Sequence, residues 1–242
     1  MSSCNTNIKL FRGAERMAMQ QFAVATARPL PVIILADVSG SMLENNNIGA
    51  LNAALKDFLS TLSQESRLNA EIHVSIITFG GSKAEVHVPL TPAWKINQTN
   101  DLVASGGTPM GGAFELAVEM IENKEIIPSR AYKPTIVLIS DGIPTDNWEA
   151  SFDKLKNSDR AQKASRMAMA IGTGADKNML KAFVNDLEAS EVFEAHNAKE
   201  IHRFFRAVSM SVSSRSQSNT PNQLPTVDFS KLPDDELDLS DF

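Results

Sequence analysis

The sequence contains a single cysteine, Cys4, among its 242 residues. One cysteine cannot form a disulfide within the chain, which agrees with a reducing cytoplasm, the compartment in which we expect the protein to act. No apolar run approaches the roughly 20 residues that a membrane-spanning helix needs. Near the N-terminus, Gln20 and Gln21 interrupt the segment that would have to form the apolar part of a signal peptide. We therefore expect no membrane partner.

Acidic residues outnumber basic ones, 29 to 23, so the formal net charge is −6. The segment from Asp228 to Phe242 carries six acidic residues and one lysine, so its own net charge is −5 and the rest of the chain is close to neutral. Such a chain lacks the basic surface that binds a phosphate backbone. We expect no nucleic-acid partner.

Several signatures of catalysis and nucleotide binding are missing. The glycine-rich stretch 106–112 lacks the Gly-Lys-Ser/Thr ending of a phosphate-binding loop, and no Gly-x-Gly-x-x-Gly follows the first apolar run. No Gly-x-Ser-x-Gly elbow surrounds Ser39 or Ser41. The histidines are dispersed and form no pair with metal-ligand spacing: His73, His87, His196 and His202.

One carboxylate and two hydroxyls directly follow an apolar run. The run covers residues 31–36, and Asp37, Ser39 and Ser41 come after it. Because these residues alternate, one turn can aim all three side chains at a single point. Magnesium prefers oxygen ligands in near-octahedral geometry, so the three side chains can supply part of its coordination shell. Taken alone, the serines also suit a turn or a helix cap.

A second polar loop contains Thr108, which precedes Pro109 and an amphipathic stretch. The pattern predicts Thr108 as a helix N-cap and Pro109 as the first helical residue. The hydroxyl of Thr108 then lies at a helix start, next to glycines that allow a close approach of backbone or partner.

A third loop contains Asp141, which follows the apolar run 135–139. In an open α/β sheet, ligands bind at the carboxyl ends of strands near a topological switch point, so the three loops can converge there. Two carboxylates balance a divalent ion and leave it able to accept a further carboxylate from outside. Asp146, in the same loop, either orients a metal-bound water or caps its loop, and the sequence favours capping.

With these residues, the chain resembles the von Willebrand factor A family, whose members have a doubly wound sheet and a metal-ion-dependent adhesion site. The family pattern is Asp-x-Ser-x-Ser, then a threonine, then an aspartate in an Asp-Gly-type loop. The matching residues are Asp37, Ser39, Ser41, Thr108 and Asp141. The resemblance implies a bound Mg²⁺, with Mn²⁺ or Ca²⁺ as alternatives. It also implies direct hydroxyl ligands, direct or water-mediated aspartates, and a partner's acidic residue that completes the shell.

The chain also resembles the TerY-type bacterial proteins, which are linked to tellurite resistance and general stress. The resemblance extends over residues 28–212 and is carried by the segments 28–32, 77–79, 88–92, 104–109 and 141–148. Some of these proteins are encoded with a kinase-like protein and a protein phosphatase. The resemblance implies such a protein as the partner that presents an Asp or Glu.

Strand and helix patterns alternate along the chain and predict a doubly wound α/β fold. We expect a mostly parallel sheet with one antiparallel edge strand and helices on both faces. The predicted strands cover 31–37, 71–79, 84–88 (closed by Pro89), 134–140, 166–171 and 191–194. The predicted helices cover 48–62, 108–127, 149–157, 176–187 and 201–208.

Composition, together with the family resemblance over residues 28–212, divides the chain into four segments. They are an N-terminal extension (1–27), a von Willebrand A domain (28–212), a Ser-, Asn-, Gln- and Pro-rich disordered linker (213–226) and an acidic-hydrophobic tail (227–242). The tail is either a solubilising terminus, a linear docking motif, or the source of an aspartate that occupies the open metal position.

Two function classes suit this pattern. The first is a non-catalytic adaptor that binds a protein carboxylate through its metal, in a bacterial tellurite-resistance, stress or defence system. The second is a magnesium-dependent phosphoryl-transfer or phosphoester-hydrolysing enzyme that uses Asp37. Such an enzyme would need an acid at position 39, where the sequence has a serine. It would also need a basic residue near the phosphate, and the three loops contain none. We therefore expect the adaptor and no catalytic residues.

Overall fold

A single mixed sheet organises the computed structural model, which describes residues 27–65, 69–184 and 192–223. In order across the sheet, its strands are β3 (Lys83–Pro92), β2 (Ala70–Gly80), β1 (Arg28–Asp37), β4 (Thr135–Ser140), β5 (Ser165–Ile171) and β6 (Phe193–Ala195). β3 pairs antiparallel with β2, whereas the other neighbouring strands pair in parallel. The prediction of a mostly parallel sheet with one antiparallel edge strand is confirmed.

Helices cover both faces of the sheet. They are α1 (Asn47–Ser63), α2 (Met110–Glu122), α3 (Trp148–Asn157), α4 (Lys177–Phe183) and α5 (Ala198–Gln217). In β1, Val32 and Ile34 belong to the core beneath α1 and α5, while Ile33 and Leu35 belong to the core beneath α2, α3 and α4. A strand that is buried on both faces is apolar without alternation, which explains the continuous apolar run. In the described part of the chain, no helix is long and apolar enough to cross a membrane.

The strand order reverses at β1. β2 lies on one side of β1 and β4 on the other, and the β1–β4 register pairs Ala36 with Ile139 near their carboxyl ends. The loops that follow these two strands therefore leave the sheet side by side. This is the geometry of a topological switch point, where open α/β sheets bind their ligands.

The edge strand β3 does not stop at Pro89, as the sequence predicts, but continues to Pro92. Its register against β2 shifts between Val74 and Ile76, and the hydroxyl of Ser75 donates to the Val88 carbonyl at 2.8 Å. An edge strand with an irregular register tolerates proline, because not every residue needs a ladder hydrogen bond.

Two helices are shorter than predicted. α2 starts at Met110 because Pro109, with ψ of 65°, is not helical, and it ends at Glu122. α4 ends at Phe183, since Val184 is extended. Its predicted cap is confirmed, because the side chain of Asp176 accepts hydrogen bonds from the amides of residues 178 and 179.

The last helix is longer than predicted. α5 runs to Gln217, so residues 213–217, predicted as the start of a disordered linker, are helical. The reason is Arg215, which is only 1% exposed. Its guanidinium donates to the carbonyls of Pro221 and Lys133 at 2.7 Å each and to the hydroxyl of Thr135 at 2.6 Å. Residues 1–26, the last three residues of the predicted linker (224–226) and the acidic-hydrophobic tail lie outside the described residues.

Arg215→Ala should lower the free energy of unfolding by about 2–4 kcal/mol, because it leaves buried acceptors without their donor and opens a cavity. Urea denaturation followed by circular dichroism measures the change. Lys199→Ala, at an exposed position on the same helix, is the matched control and should cost less than about 0.5 kcal/mol. Equal effects of the two substitutions would contradict a structural role for the buried guanidinium.

Candidate metal centre

The carboxylate of Asp37 is held rigidly at the end of β1. Asp37 is fully buried; its Oδ1 accepts from the Ser39 amide at 2.8 Å, and its Oδ2 accepts from the Ser140 hydroxyl at 2.6 Å. Ser140 is the last residue of β4, so this bond joins the ends of the two central strands. The sequence analysis gives Ser140 no role, although its place beside Asp141 at a strand end is a signal that could have identified it.

Three further side chains form a continuous oxygen cluster. The Oγ atoms of Ser39 and Ser41 lie 3.0 Å apart, and the Ser41 hydroxyl donates to Oδ1 of Asp141 at 2.8 Å. Ser39 and Asp141 are 2% and 7% exposed, so a ligand can reach the cluster only through a small opening. The loops after β1 and β4 thus bring four of the five predicted ligands together.

The fifth predicted ligand, Thr108, borders the same cluster. A Cβ placed on Gly142 would lie 3.5 Å from Oγ1 of Thr108 and 3.7 Å from Oγ of Ser41. The two hydroxyls therefore lie on the same side of the third loop, next to Asp141. Thr108 itself is buried, at 5% exposed.

Thr108 is not the N-cap of α2, contrary to the prediction. The α2 amides of Gly111 and Gly112 donate instead to the two carboxylate oxygens of Asp146, at 3.0 and 3.1 Å. Asp146 therefore acts as a cap, as the sequence favours. It does not cap its own loop but the N-terminus of α2, which follows the second loop. This arrangement leaves the Thr108 hydroxyl without a capping bond and free to face the cluster.

Two further hydrogen bonds, one of them between backbone groups, join the second and third loops. The Thr108 amide donates to Oγ1 of Thr145 at 2.9 Å, and the Thr145 amide donates to the Thr108 carbonyl at 2.9 Å. Neither Thr145 nor the helix-capping role of Asp146 follows from local patterns, because both depend on which loops become neighbours.

The glycines of the second loop fix it against the first. Gly106, with φ of 62°, crosses Gly81, and a Cβ on Gly106 would lie 2.5 Å from the Gly81 Cα. The Gly40 amide donates to the Gly106 carbonyl at 2.9 Å, and the Ser105 amide donates to the Val38 carbonyl at 2.8 Å. Only glycine fits both the left-handed conformation and the close crossing.

The cluster is electrostatically unbalanced. Burial raises the pKa of Asp37. Burial also raises the pKa of Asp141 to about 6, and the negative charge of Asp37 adds to this increase. No basic side chain contributes to either pKa within the described residues. Two repelling carboxylates without a cation near them form a site that a positive ion would stabilise.

The donor set is one of hard oxygens. Across residues 27–65, 69–184 and 192–223, no group of three or more His, Cys, Asp or Glu side chains could hold a metal ion. A metal in this cluster would therefore depend on hydroxyls as well as carboxylates, and hydroxyl and carboxylate oxygens suit magnesium, manganese or calcium better than soft metals.

Comparison with known proteins agrees with the fold. Residues 32–143 match the von Willebrand factor type A domain family. The chain is 34% identical over 110 residues to the magnesium-chelatase 60 kDa subunit of Rhodobacter capsulatus, covering 44% of this chain and 19% of that protein. It is 31% identical over 123 residues to inter alpha-trypsin inhibitor heavy chain 4 of Mus musculus, covering 47% of this chain and 12% of that protein.

A solved structure shows the same architecture. Proximal thread matrix protein 1 from the mussel byssus, with a zinc-occupied MIDAS (metal-ion-dependent adhesion site) motif, superposes with a TM-score of 0.59 at 18% identity. The match covers 76% of this chain and 48% of that one. The chain thus spans less than half of each of these relatives. Residues 32–143, the region similar to the von Willebrand factor type A domain, include all five candidate ligands, Asp37, Ser39, Ser41, Thr108 and Asp141.

Proposed function

We propose that this protein is a non-catalytic adaptor that binds a divalent cation, Mg²⁺, and through it a carboxylate of a protein partner. The observation that carries the proposal is the Ser41 hydroxyl, which connects Ser39 to Asp141 in a cluster whose two carboxylates have no basic neighbour among the described residues. The zinc-occupied MIDAS motif of the mussel protein supports metal binding at this place in the fold.

The oxygen spacing supports a small octahedral ion. Metal–oxygen bonds of about 2.0–2.1 Å place neighbouring octahedral ligands about 2.8–3.0 Å apart, whereas the longer bonds of calcium place them about 3.3 Å apart or more. The separations in the cluster are 3.0 Å between the Ser39 and Ser41 hydroxyl oxygens and 2.8 Å between Ser41 Oγ and Asp141 Oδ1. Both are hydrogen-bond distances that also equal the edge of an octahedron around magnesium or manganese, so these three side chains are already spaced for such an ion.

Each side chain has a distinct part in this proposal. Ser39, Ser41 and Thr108 are the direct ligands. Asp37 and Asp141 bind directly or through water and neutralise the ion's charge. Because hydroxyls add no charge, the bound ion keeps its affinity for a third carboxylate, which the partner supplies.

The surroundings of the cluster indicate the partner's chemistry. Leu43 and Ile143 are 63% and 65% exposed, and each lies two residues after a proposed ligand. Val103, in the approach to the second loop, is 78% exposed. Large aliphatic side chains that stay exposed on the loops around one site are available for contact with a partner. We infer that the partner's Asp or Glu has apolar neighbours.

The cellular setting is a second part of the proposal. The resemblance of loop segments to the TerY-type proteins supports a cytoplasmic role in a bacterial tellurite-resistance, stress or defence system. A kinase-like protein or protein phosphatase of the same system is then the partner that presents the carboxylate.

The alternative, a magnesium-dependent phosphoryl-transfer or phosphoester-hydrolysing enzyme, has weaker support. Asp37 is fully buried, and both of its carboxylate oxygens accept hydrogen bonds, so it is poorly placed to attack a substrate. Turnover of a generic phosphoester with Mg²⁺ that Asp37→Asn abolishes would favour the enzyme.

Mg²⁺ should stabilise the protein through the cluster. At a metal concentration about 100 times its Kd, the gain in unfolding free energy is about 2.7 kcal/mol. Asp37→Asn should abolish the gain, and Ser41→Ala should weaken binding by at least about tenfold, because a lost ligand costs more than the ~1.4 kcal/mol that tenfold represents. Thermal denaturation with titrated Mg²⁺ measures both.

Ser105→Ala is the control for that titration, since Ser105 is an exposed serine of the second loop outside the cluster. It should bind Mg²⁺ like the unaltered protein. A full metal-induced gain in Asp37→Asn would place the ion elsewhere.

Stability without metal should depend on pH through Asp141. Its pKa is about 6 in the folded protein against an ordinary value of 3.8, so its protonated form favours folding. This contribution is complete below about pH 4 and is lost as the pH rises through about 6, a loss of up to roughly 3 kcal/mol. In chelator, Asp141→Asn should therefore be more stable than the unaltered protein at pH 7.5 and gain nothing at pH 4.

Urea denaturation at the two pH values measures this difference, with the exposed Asp159→Asn as control. Excess Mg²⁺ should reverse the ranking at pH 7.5, because the variant lacks one charged ligand. A stability advantage of Asp141→Asn that is the same at both pH values would contradict a titrating carboxylate.

Partner binding should require both the metal and the exposed aliphatic side chains of Leu43 and Ile143. A pulldown from cells, with bound proteins identified by mass spectrometry, should lose its specific partner in chelator and with Asp37→Ala. Leu43→Ser combined with Ile143→Ser should weaken partner binding but leave Mg²⁺ binding unchanged. A partner that binds fully in chelator would rule out contact through the metal.

A further inference from the structure

The chain leaves α5 at the edge of the sheet where its parallel strands start. The side chain of Asn69, just before β2, donates to the Gln217 carbonyl at 2.7 Å. The Lys133 amide, just before β4, donates to the side chain of Asn222 at 2.9 Å. The candidate metal centre lies at the other edge, where β1 and β4 end. Residues 224–242 therefore follow on from the side of the sheet opposite to the metal centre.

The distance between the two edges decides which acidic residue can reach the metal centre. From Lys133 to Asp141, eight steps of extended chain cover about 26 Å. Asp228 comes five residues after Gln223, and five residues extend to at most about 18 Å, so Asp228 cannot reach the centre. Asp238 comes 15 residues after Gln223, and 15 residues extend to about 50 Å, which allows a path around the helices.

The exposed aliphatic side chains around the cluster favour one of the acids within reach. Leu43 and Ile143 are 63% and 65% exposed, so they suit a carboxylate with apolar neighbours. Asp238 lies between Leu237 and Leu239. In a polyproline II conformation, successive side chains point about 120° apart, so the two leucines would flank the carboxylate on either side. Asp238 therefore combines sufficient reach with the neighbours that the cluster favours.

The other acids match these features less well. Asp234, Asp235 and Glu236 adjoin one another, so any of them would bring further negative charge to a site that already contains two carboxylates. Asp241 has an apolar neighbour on one side only. The sequence before β1 contains a single acid, Glu15, which is followed by an arginine.

We propose that Asp238 completes the coordination shell of the cation bound by its own chain, in the position that a partner's carboxylate takes when the partner binds. The inference rests on the proposed function, because without the cation the two buried carboxylates repel an acidic segment. A tether of this length gives an effective concentration on the order of 1 mM, so a Kd of about 100 µM keeps Asp238 bound about nine-tenths of the time. A partner then competes with the tail, and its apparent affinity falls about tenfold.

Manganese tests the proposal in the full chain, because paramagnetic Mn²⁺ broadens the NMR signals of nuclei close to it. In an isotope-labelled chain, the backbone signals around Asp238 should disappear with one equivalent of Mn²⁺ and persist with Mg²⁺. Asp238→Asn should keep these signals with Mn²⁺ while Mg²⁺ at saturation still stabilises the protein against heat. Asp228→Asn, which removes an acid of the same segment that is out of reach, is the matched control and should behave like the unaltered chain.

The two readouts separate this inference from the proposed function. Without thermal stabilisation by Mg²⁺, the proposed function fails and this inference fails with it. With stabilisation but unbroadened signals around Asp238, only this inference is overturned. Broadening that persists in Asp37→Asn would also overturn it, because the ion would then bind the acidic segment itself. So would broadening of a labelled Asp37→Asn chain on addition of unlabelled, unaltered protein, since a second copy would then hold the segment.

A labelled peptide of residues 233–242 serves as a probe for competition at the same site. With Mg²⁺, fluorescence anisotropy should show that this peptide binds the Asp238→Asn chain about tenfold more tightly than the unaltered chain. The same peptide with Asp238→Asn should bind neither chain, and chelator should abolish binding to both. Equal affinity of the unaltered peptide for the two chains would overturn occupation of the site by the chain's own aspartate.

Discussion

Two carboxylates that repel each other are buried side by side because the strands that carry them are neighbours. β1 and β4 lie on either side of the point where the strand order reverses, so Asp37 and Asp141 leave the sheet at one edge. Burial alone would push both groups toward protonation, and hydroxyl donors from Ser140 and Ser41 only partly offset this cost. Natural sequences keep such local conflicts where function requires them. A cation between the two carboxylates would offset their repulsion, and for this reason the position is a candidate binding site.

The fold was predictable because its signals are local. Apolar runs without alternation mark strands that are covered on both faces, and helical spacing marks the helices between them. The convergence of Asp37 and Asp141 at one edge of the sheet was predictable for a related reason, since both directly follow such runs. The polar residues that position them were not. Ser140, Thr145 and Asp146 act on groups 34 to 103 residues away in the sequence, so their partners become visible only in three dimensions.

The same distinction explains the errors. Thr108 followed by Pro109 is a strong local pattern for a helix cap, but Asp146, which lies in another loop, accepts the hydrogen bonds of the α2 amides instead. Residues 213–217 have the composition of a linker, yet Arg215 finds three buried acceptors and holds that turn of α5 in place. In both cases a long-range hydrogen bond to a charged or polar side chain overrides propensity, which is worth less than 1 kcal/mol per residue.

Because Asp146, and not Thr108, caps α2, the second and third loops are linked to each other. Thr108 is tied to Thr145 by two bonds, and the start of α2 is tied to Asp146, so the second and third loops can move only together. The first loop is constrained differently. It leads into α1 through Asn45 and Asn46, both left-handed with φ of 52° and 56°, a conformation that asparagine tolerates better than most residues. α1 also packs against α5, where the rings of Phe58 and Phe205 lie 5.4 Å apart. Because the amide of Gly40 donates to the Gly106 carbonyl and the hydroxyl of Ser41 donates to Asp141, a change in how α1 packs is transmitted through this short turn to all three loops together.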